Sequence, residues 1–380
     1  MRRRMSFMAA YFLMLAVSLT ACSAVPQQNP LGEIETESEE GSETSSGQNP
    51  PEEDESHPYL SITYGRDNPD NFTGRDMVFY TYDIVTGELE EQCVIPFDSQ
   101  YACGLVSKAD NKVYYSSRSE PNTLGVCDGL WAYDLVTGKS SLLETNNWSY
   151  NSITMIRPGK LLVMAVTKEH PILPALFDLE TNSFTYMPEA NDEPFDLYTF
   201  GPTEAVYNSG THEITCIFQN EDEIYTTEFG SNETPVDTYI AVASEDMVKD
   251  PKRTFAVSLK MEDQVLSATQ ISENELLVVI FHMDMDPFAA GSGLDTEYRL
   301  YSLVFEDGKG TLTPVDSPYP NSAKWNTIDG GKNFYFLRQS EEEPQRGLYS
   351  YCTETGELTP ILLGDLETNG HVVSYTILNP

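Results

Sequence analysis

Residues 80–94 read YTYDIVTGELEEQCV and contain the pattern on which the fold depends. Two segments with alternating aromatic or apolar residues flank Thr86-Gly87, and a glycine there supplies the positive φ that a tight hairpin turn needs. The unit returns as LWAYDLVTGKSSLL (130–143), ALFDLETNSFTYM (175–187), LYSLVFEDGKGTLTPV (300–315) and LYSYCTETGELTPIL (348–362). A hairpin that recurs in this way predicts an all-β protein made of repeated units.

The spacing of the hairpins predicts the number of units. Asp83, Asp134, Asp178, Val304 and Cys352 stand at equivalent positions, separated by 51, 44, 126 and 48 residues. The long gap must hold at least one further copy, and two candidates lie in it, at residues 213–229 and 254–269. Seven units over residues 58–380 average about 46 residues each, close to the period of a four-stranded propeller blade. Six or eight units remain open.

The segments between the hairpins also read as strands. KVYYSS (112–117), KLLVMAV (160–166), ELLVVIF (275–281) and NFYFLR (333–338) are almost continuously apolar, as expected for inner strands of blades. The alternation of YD-x-x-TG hairpins with S/T-x-D-G-K-type turns resembles the TolB-like and quinoprotein-like (PQQ-like) propellers. This resemblance implies a β-propeller over residues 58–380 but implies no activity. The end segments YLSITYG (59–65) and VVSYTIL (372–378) are expected to share one blade.

The first residues have the layout of a secretory signal. Three arginines, Arg2 to Arg4, precede an uncharged apolar run of about 15 residues, shorter than the roughly 20 that span a bilayer. The sequence from Leu19 to Cys22 resembles the lipobox of bacterial lipoproteins. That resemblance implies a signal peptide over residues 1–21, cleavage between Ala21 and Cys22, and palmitate-type acyl chains on Cys22. The protein would then be anchored to the cell membrane on its extracytoplasmic face. The alternative is an ordinary signal peptide with a chance cysteine.

Residues 22–57 are expected to form the lipidated cysteine and a disordered tether. From Ser23 to His57 the chain carries ten acidic residues and no Lys or Arg, so it cannot bury enough apolar surface to fold. The whole chain has a net charge of −38, and the folded part after residue 57 retains 50 acidic and 19 basic residues. This charge repels nucleic acid and anionic lipid head groups, which excludes a nucleic-acid partner. The expected module is monomeric, and a basic partner or a cation-binding surface remains open.

One short segment is a candidate metal site. His282, Asp284 and Asp286 alternate in HMDMD, so an extended strand would place all three side chains on one side. The alternative is a loop with solvated acidic residues. A second acidic loop contains Asp67, Asp70, Asn71 and Asp76, but the spacing of these residues is not that of a calcium-binding loop. No cofactor is therefore predicted, with Ca²⁺ or another divalent metal left open.

The sequence contains no GxSxG or HExxH hydrolase motif, no P-loop and no dinucleotide-binding fingerprint. The segment TIDGGKNF (327–334) resembles the Asp-box of sialidases, which is a structural hairpin. The sequence therefore favours a non-catalytic binding or scaffolding module for a protein, peptide or glycan. Its contacts would come from loops 117–129, 190–202 and 283–297, with the aromatic residues Phe195, Tyr198, Phe200 and Phe288. The alternative is a surface hydrolase or lyase, or a lactonase-like enzyme with a metal in the central channel.

Overall fold

The structure is a computed structural model, and it describes residues 57–120, 127–168, 172–187, 200–220, 235–260, 263–283, 296–319, 322–339 and 345–378. All of these residues belong to one of the two contact units of the chain, Glu55–Pro380. Their regular structure is entirely β-strand, in 24 strands. No helix in the described part of the chain could cross a membrane.

The first three blades are antiparallel sheets of four strands. Blade 1 combines the two ends of the chain, in the order β24-β1-β2-β3, with β24 His371–Leu378, β1 Tyr59–Asp67, β2 Arg75–Asp83 and β3 Leu89–Pro96. Blade 2 contains β4 Gly104–Ser107, β5 Lys112–Arg118, β6 Asp128–Asp134 and β7 Lys139–Glu144. Blade 3 contains β8 Ser149–Arg157, β9 Lys160–Val166, β10 Leu173–Asp178 and β11 Ser183–Tyr186.

The last three blades repeat this arrangement. Blade 4 contains β12 Phe200–Asn208, β13 Glu213–Asn220, β14 Pro235–Ser244 and β15 Lys249–Lys260. Blade 5 contains β16 Asp263–Ser272, β17 Glu275–Met283, β18 Thr296–Glu306 and β19 Lys309–Pro314. Blade 6 contains β20 Ser322–Thr327, β21 Asn333–Arg338, β22 Gly347–Cys352 and β23 Leu358–Leu363. A single parallel bridge, Ala256 to Lys309, links the outer strands of blades 4 and 5.

In the strand orders given, the first strand of each blade is innermost, and most of these strands contact the innermost strand of a neighbouring blade. β4 contacts β8, β12 contacts β16, β16 contacts β20, and β20 contacts β24. The ring of blades includes both ends of the chain, because β24 pairs with β1 from Tyr59↔Leu378 to Gly65↔His371. The prediction that the two chain ends share a blade is confirmed. The fold is therefore a β-propeller whose sheets surround a central channel.

The described strands divide into six groups of four, and the number of blades, seven with six or eight left open, stays a prediction. All five quoted hairpins are present as the outer two strands of a blade, in blades 1, 2, 3, 5 and 6. The two candidates in the long gap are not such hairpins. Residues 213–229 begin with the second strand of blade 4, and residues 254–269 run from blade 4 into blade 5. The outer hairpin of blade 4 turns at 245–248 without glycine, since Met247 itself adopts a φ of 60°.

The core lies between the blades. On β17, Leu276, Val278 and Ile280 pack in a cluster with blade 4 residues, whereas Leu277 and Val279 pack in a cluster with blade 6 residues. Alternate residues of a strand face opposite sides of the sheet, and here both sides are buried. This explains why ELLVVIF is continuously apolar. Each such side chain contributes about 1.5–3 kcal/mol on burial.

The connections divide the propeller into two unlike faces. The eleven connections of one face, from 84–88 to 353–357, are each at most five residues long, and this face is here called the tight-turn face. The opposite face, here called the loop face, carries every longer connection and two short ones, 145–148 and 261–262. The described part of the chain begins at the tight-turn face, where His57 Nδ1 is 3.1 Å from Asp83 Oδ2.

Candidate functional site in the central channel

A bulge at the same place in five innermost strands sets which side chains face the channel. Each of these strands carries one extra residue against its neighbour, and the five extra residues are Asn151, Thr203, Leu266, Ala323 and Val373. A bulge changes the face to which the following residues point. The residues after the bulges consequently stand at equivalent levels in their blades.

Two layers of side chains follow from this register. The charged ring consists of the residues that follow the bulges: Ser152, Glu204, Ser267, Lys324 and Ser374. The threonine ring lies two residues further toward the tight-turn face and consists of Thr154, Val206, Thr269, Asn326 and Thr376. Residues i and i+2 of a strand share a face, so the two rings lie on the same side of their strands, about 7 Å apart. The intervening Ile153, Trp325 and Tyr375 are buried among apolar side chains.

A hydrogen bond that skips a blade shows that this side faces the channel. Thr154 Oγ1 of blade 3 lies 2.8 Å from Thr376 Oγ1 of blade 1, although blade 2 stands between them in the ring. Side chains of blades that are not neighbours can meet only in the central space. The Thr154–Thr376 bond therefore crosses the channel and narrows it at the level of the threonine ring.

The charged pair of the charged ring also skips a blade. Glu204 belongs to blade 4 and Lys324 to blade 6, yet each acts electrostatically on the other. Both side chains are partly accessible. Blade 5 contributes the small residue Ser267 at this level, and its hydroxyl donates to the carbonyl of Ala323 at 3.2 Å. A small residue between them leaves the carboxylate and the ammonium group facing a shared space.

Burial acts on both charges of the pair. Burial raises the pKa of Glu204 to about 7, while the charge of Lys324 and the N–H of Ala205, 3.2 Å from Glu204 Oε1, oppose the rise. Burial also lowers the pKa of Lys324, and the charge of Glu204 opposes that shift. Each charge thus stabilises the ionised form of the other. Near neutral pH the carboxyl of Glu204 can accept or release a proton.

Tyr375 holds Lys324 in place from the side of blade 1. Its hydroxyl donates to the carbonyl of Tyr335 at 2.6 Å, and the Lys324 ammonium lies 5.3 Å from the centre of its ring. Burial raises the pKa of this phenol well above its usual range, so it remains a neutral donor. The cation–π contact offsets part of the cost of removing the ammonium group from water.

Most of the site residues predicted from sequence lie outside the described residues. This applies to Ala21, Cys22, Phe195, Tyr198, Asp284, Asp286 and Phe288, and Phe200 is described only in its backbone, at the start of β12. His282 lies near the loop-face end of β17, and its Nδ1 is 2.6 Å from Asp263 Oδ1 on β16. The described residues contain no group of three His, Cys, Asp or Glu side chains arranged for a metal ion. The metal site, the contact residues and the lipidated cysteine remain predictions.

Glu204 and Lys324 did not emerge from the sequence. They are 120 residues apart in strands without a shared motif, and a Glu or Lys in a short strand is typical of an exposed face. Their equivalent positions became visible only once the strand pairing was known.

The comparisons with known proteins found similar solved structures, and this similarity concerns the fold alone. No protein-family model and no curated protein sequence matches the chain. TolB from Acinetobacter baumannii is 15% identical, with a TM-score of 0.44 over 84% of this chain and 66% of its own. An oligogalacturonate lyase in complex with manganese is 14% identical, with a TM-score of 0.43 over 80% of this chain and 79% of its own. A putative 6-phosphogluconolactonase from Bacteroides fragilis is 13% identical, with a TM-score of 0.42 over 87% of this chain and all of its own, 100%. The propeller assignment rests on the sheet topology of this chain itself.

Proposed function

We propose that this protein is a membrane-anchored lipoprotein, displayed outside the cytoplasm, whose propeller binds a protein, peptide or glycan partner through its loop face. One observation carries the proposal: every connection longer than five residues belongs to that face. The three loops predicted to make contacts, at 117–129, 190–202 and 283–297, all connect strand ends of the loop face. Binding residues are commonly carried by loops on a rigid scaffold.

The charge of the loop face indicates the partner's chemistry. Four of its connections, residues 187–199, 221–234, 284–295 and 339–346, contain fifteen Asp and Glu residues against one basic residue, Arg346. A partner surface rich in Lys or Arg would be complementary to this sequence and would associate faster at low ionic strength. We therefore propose a basic protein or peptide segment as the preferred partner, ahead of a neutral glycan.

Partner capture from the cell envelope of the source organism tests the loop face. A variant with residues 190–199 and 284–295 replaced by short Gly/Ser linkers should lose the partner, and added salt should weaken capture by the unaltered protein. The matched control neutralises two exposed acids of the tight-turn face, Glu180→Gln and Asp246→Asn, and should capture normally. Unchanged capture after loop replacement would contradict the proposal.

The anchor is tested separately at Cys22. A Cys22→Ser protein should remain unprocessed or leave the membrane fraction, because it lacks the thiol that would carry the lipid. Labelling with a palmitate analogue provides the direct readout, and a Ser23→Ala protein is the control. Normal processing and membrane retention of Cys22→Ser would overturn the anchoring proposal and leave the loop-face proposal standing.

One observation favours an enzyme as the second candidate. The pKa of Glu204, about 7, suits a general acid or base, and Lys324 lies close enough to stabilise developing negative charge. A surface lyase, hydrolase or lactonase-like enzyme acting in the channel would lose activity in Glu204→Gln. A screen of glycan and lactone substrates, with metal analysis of the purified protein, tests this. A stoichiometric channel metal or a Glu204-dependent turnover would favour the enzyme over the binding module.

A further inference from the structure

The channel holds two opposite charges that lie on different blades and do not form a side-by-side ion pair. Glu204 and Lys324 stand at the same level of the ring, on blades separated by blade 5. Lys324 lies over the Tyr375 ring and within electrostatic range of Glu204, and Glu204 Oε1 accepts one backbone N–H. Both side chains are half-buried, so their charged groups can still bind a further polar partner.

The surroundings of the pair set the size and direction of such a partner. One layer further toward the tight-turn face, the Thr154–Thr376 hydrogen bond crosses the channel. Toward the loop face, the innermost strands end within a few residues of the charged ring. A ligand therefore enters from the loop face and stops above the threonine ring. The hydroxyls of Ser152 and Ser374 stand at its level and can donate or accept hydrogen bonds.

The charges of the pair select among ligand classes. A simple cation would meet Glu204 but would be repelled by Lys324, and a simple anion would meet the opposite penalty. A molecule with one anionic and one cationic group matches both charges at once. We propose that the charged ring is a binding site for a small zwitterion, of which free α-amino acids are the simplest representatives. This site is additional to the partner surface on the loop face and does not depend on it.

Calorimetric titration of the full-length protein in detergent tests the proposal with defined probes. The probes are glycine, L-alanine, L-glutamate and L-lysine, with acetate and methylammonium as the single-charge comparisons. At least one amino acid should bind with a Kd of about 1 mM or tighter and raise the melting temperature, while neither single-charge probe does so at the same concentration. Absence of binding by all four amino acids up to about 10 mM, or equal binding by acetate or methylammonium, would overturn the proposal.

Variants assign the binding to the pair. Lys324→Met and Glu204→Gln should each weaken binding about ten-fold or more. The reversed pair, Glu204→Lys with Lys324→Glu, should restore it, because a zwitterion can bind in the opposite orientation. The matched control is Lys108→Met: Lys108 also lies over a tyrosine ring, that of Tyr59 at 4.8 Å, but in a connection of the tight-turn face. It should leave binding unchanged.

The outcomes separate this site from a purely structural pair and from the proposed partner surface. If single variants unfold, the reversed pair and Glu204→Asp supply folded proteins for the same titration. Lower melting temperatures that the reversed pair restores, without any binding in the unaltered protein, would identify a structural ion pair and overturn the proposal. Partner capture through the loop face should persist in Lys324→Met, so failure of either proposal is visible independently.

Discussion

At the scale of single residues, the hairpin repeat uses one side chain to hold each turn. Asp134 Oδ1 accepts the N–H groups of Val136 and Thr137 at 3.0 and 2.7 Å, and Asp83 and Asp178 make the same pair of bonds. Blade 6 has Cys352 at this position. Hydrogen bonds from the Thr355 side chain and from the backbone of residues 355 and 354 lower the pKa of its thiol. Turn groups equivalent to those that bind a carboxylate in the other blades thus stabilise the thiolate of Cys352.

We predict that Cys352 is more reactive than Cys93, Cys103 and Cys216. Burial raises the pKa of Cys93 and of Cys216 to about 12 and that of Cys103 further, so these thiols ionise poorly. At pH 7.5 iodoacetamide should modify Cys352 at least about ten-fold faster than the other three, as measured by peptide mass spectrometry over time. Cys352→Asp should fold and keep the turn. Faster modification of Cys103 would contradict the prediction.

Asp128 predicts a pH dependence of stability. Its side chain is fully buried, its Oδ1 has no hydrogen-bond partner among the described residues, and burial raises its pKa to about 6. A carboxyl with a raised folded pKa destabilises the protein fully above pH 6 and not at all below its unfolded pKa, about 3.9. Asp128→Asn should therefore be more stable than the unaltered protein at pH 7.5, by at most about 3 kcal/mol.

Urea unfolding at several pH values measures this effect. The difference in unfolding free energy between Asp128→Asn and the unaltered protein should shrink as the pH falls from about 6 to about 4. The exposed Asp246→Asn protein is the control. A constant difference across this range would show that Asp128 does not titrate as described.

At the scale of elements, the tight turns depend on residues that adopt positive φ. Gly138, Gly159, Asn111 and Asn182 have φ values of 67°, 81°, 51° and 50° in four turns of the tight-turn face. Glycine and asparagine are the residues that adopt this region at least cost. Met247, with φ of 60°, takes the same role in blade 4 while its side chain is fully buried. Burial of the Met247 side chain offsets the energetic cost of its positive φ, which methionine rarely adopts.

Gly159→Ala tests the conformational cost in isolation. A Cβ at Gly159 would meet no atom within 4 Å, so the loss comes from the positive φ and should be about 1–2 kcal/mol of unfolding free energy. Gly210→Ala is the matched control, because Gly210 is a turn glycine outside the positive-φ region. It should be neutral or slightly stabilising in urea unfolding. Equal losses in both proteins would refute this account of the turn.

At the scale of the whole molecule, the fold depends on β24, the last strand of the chain. β24 pairs with β1 and supplies Val372 and Tyr375 to the cluster that buries Leu60 and Ile62 of blade 1. Without β24, blade 1 would expose the edge of β1 and the ring would be open. The same strand carries Ser374 and Thr376 into the channel. The strand that completes blade 1 therefore also supplies two residues of the candidate site.

A chain that ends at Gly370 should lose cooperative unfolding. The control ends at Leu378, which retains β24 and removes only the last two residues. Circular dichroism during urea titration should show one steep transition for the control and a shallow or absent one for the shorter chain. A transition with the same midpoint in both would show that the ring does not need closure.

The sequence by itself determined the all-β class, the repeated outer hairpins and the pairing of the two chain ends, because turn glycines, Asp residues and strand alternation are local signals. It did not reveal the outer hairpin of blade 4, because that turn is stabilised by the buried Met247 rather than by a local motif. Tertiary structure alone decided the channel. Bulges are set by pairing with a neighbouring strand, and the placement of Glu204 and Lys324 at equivalent positions and the Thr154–Thr376 hydrogen bond depend on how the blades are arranged around the channel. No local property of these residues encodes that arrangement, since they lie on strands that neither pair nor belong to neighbouring blades.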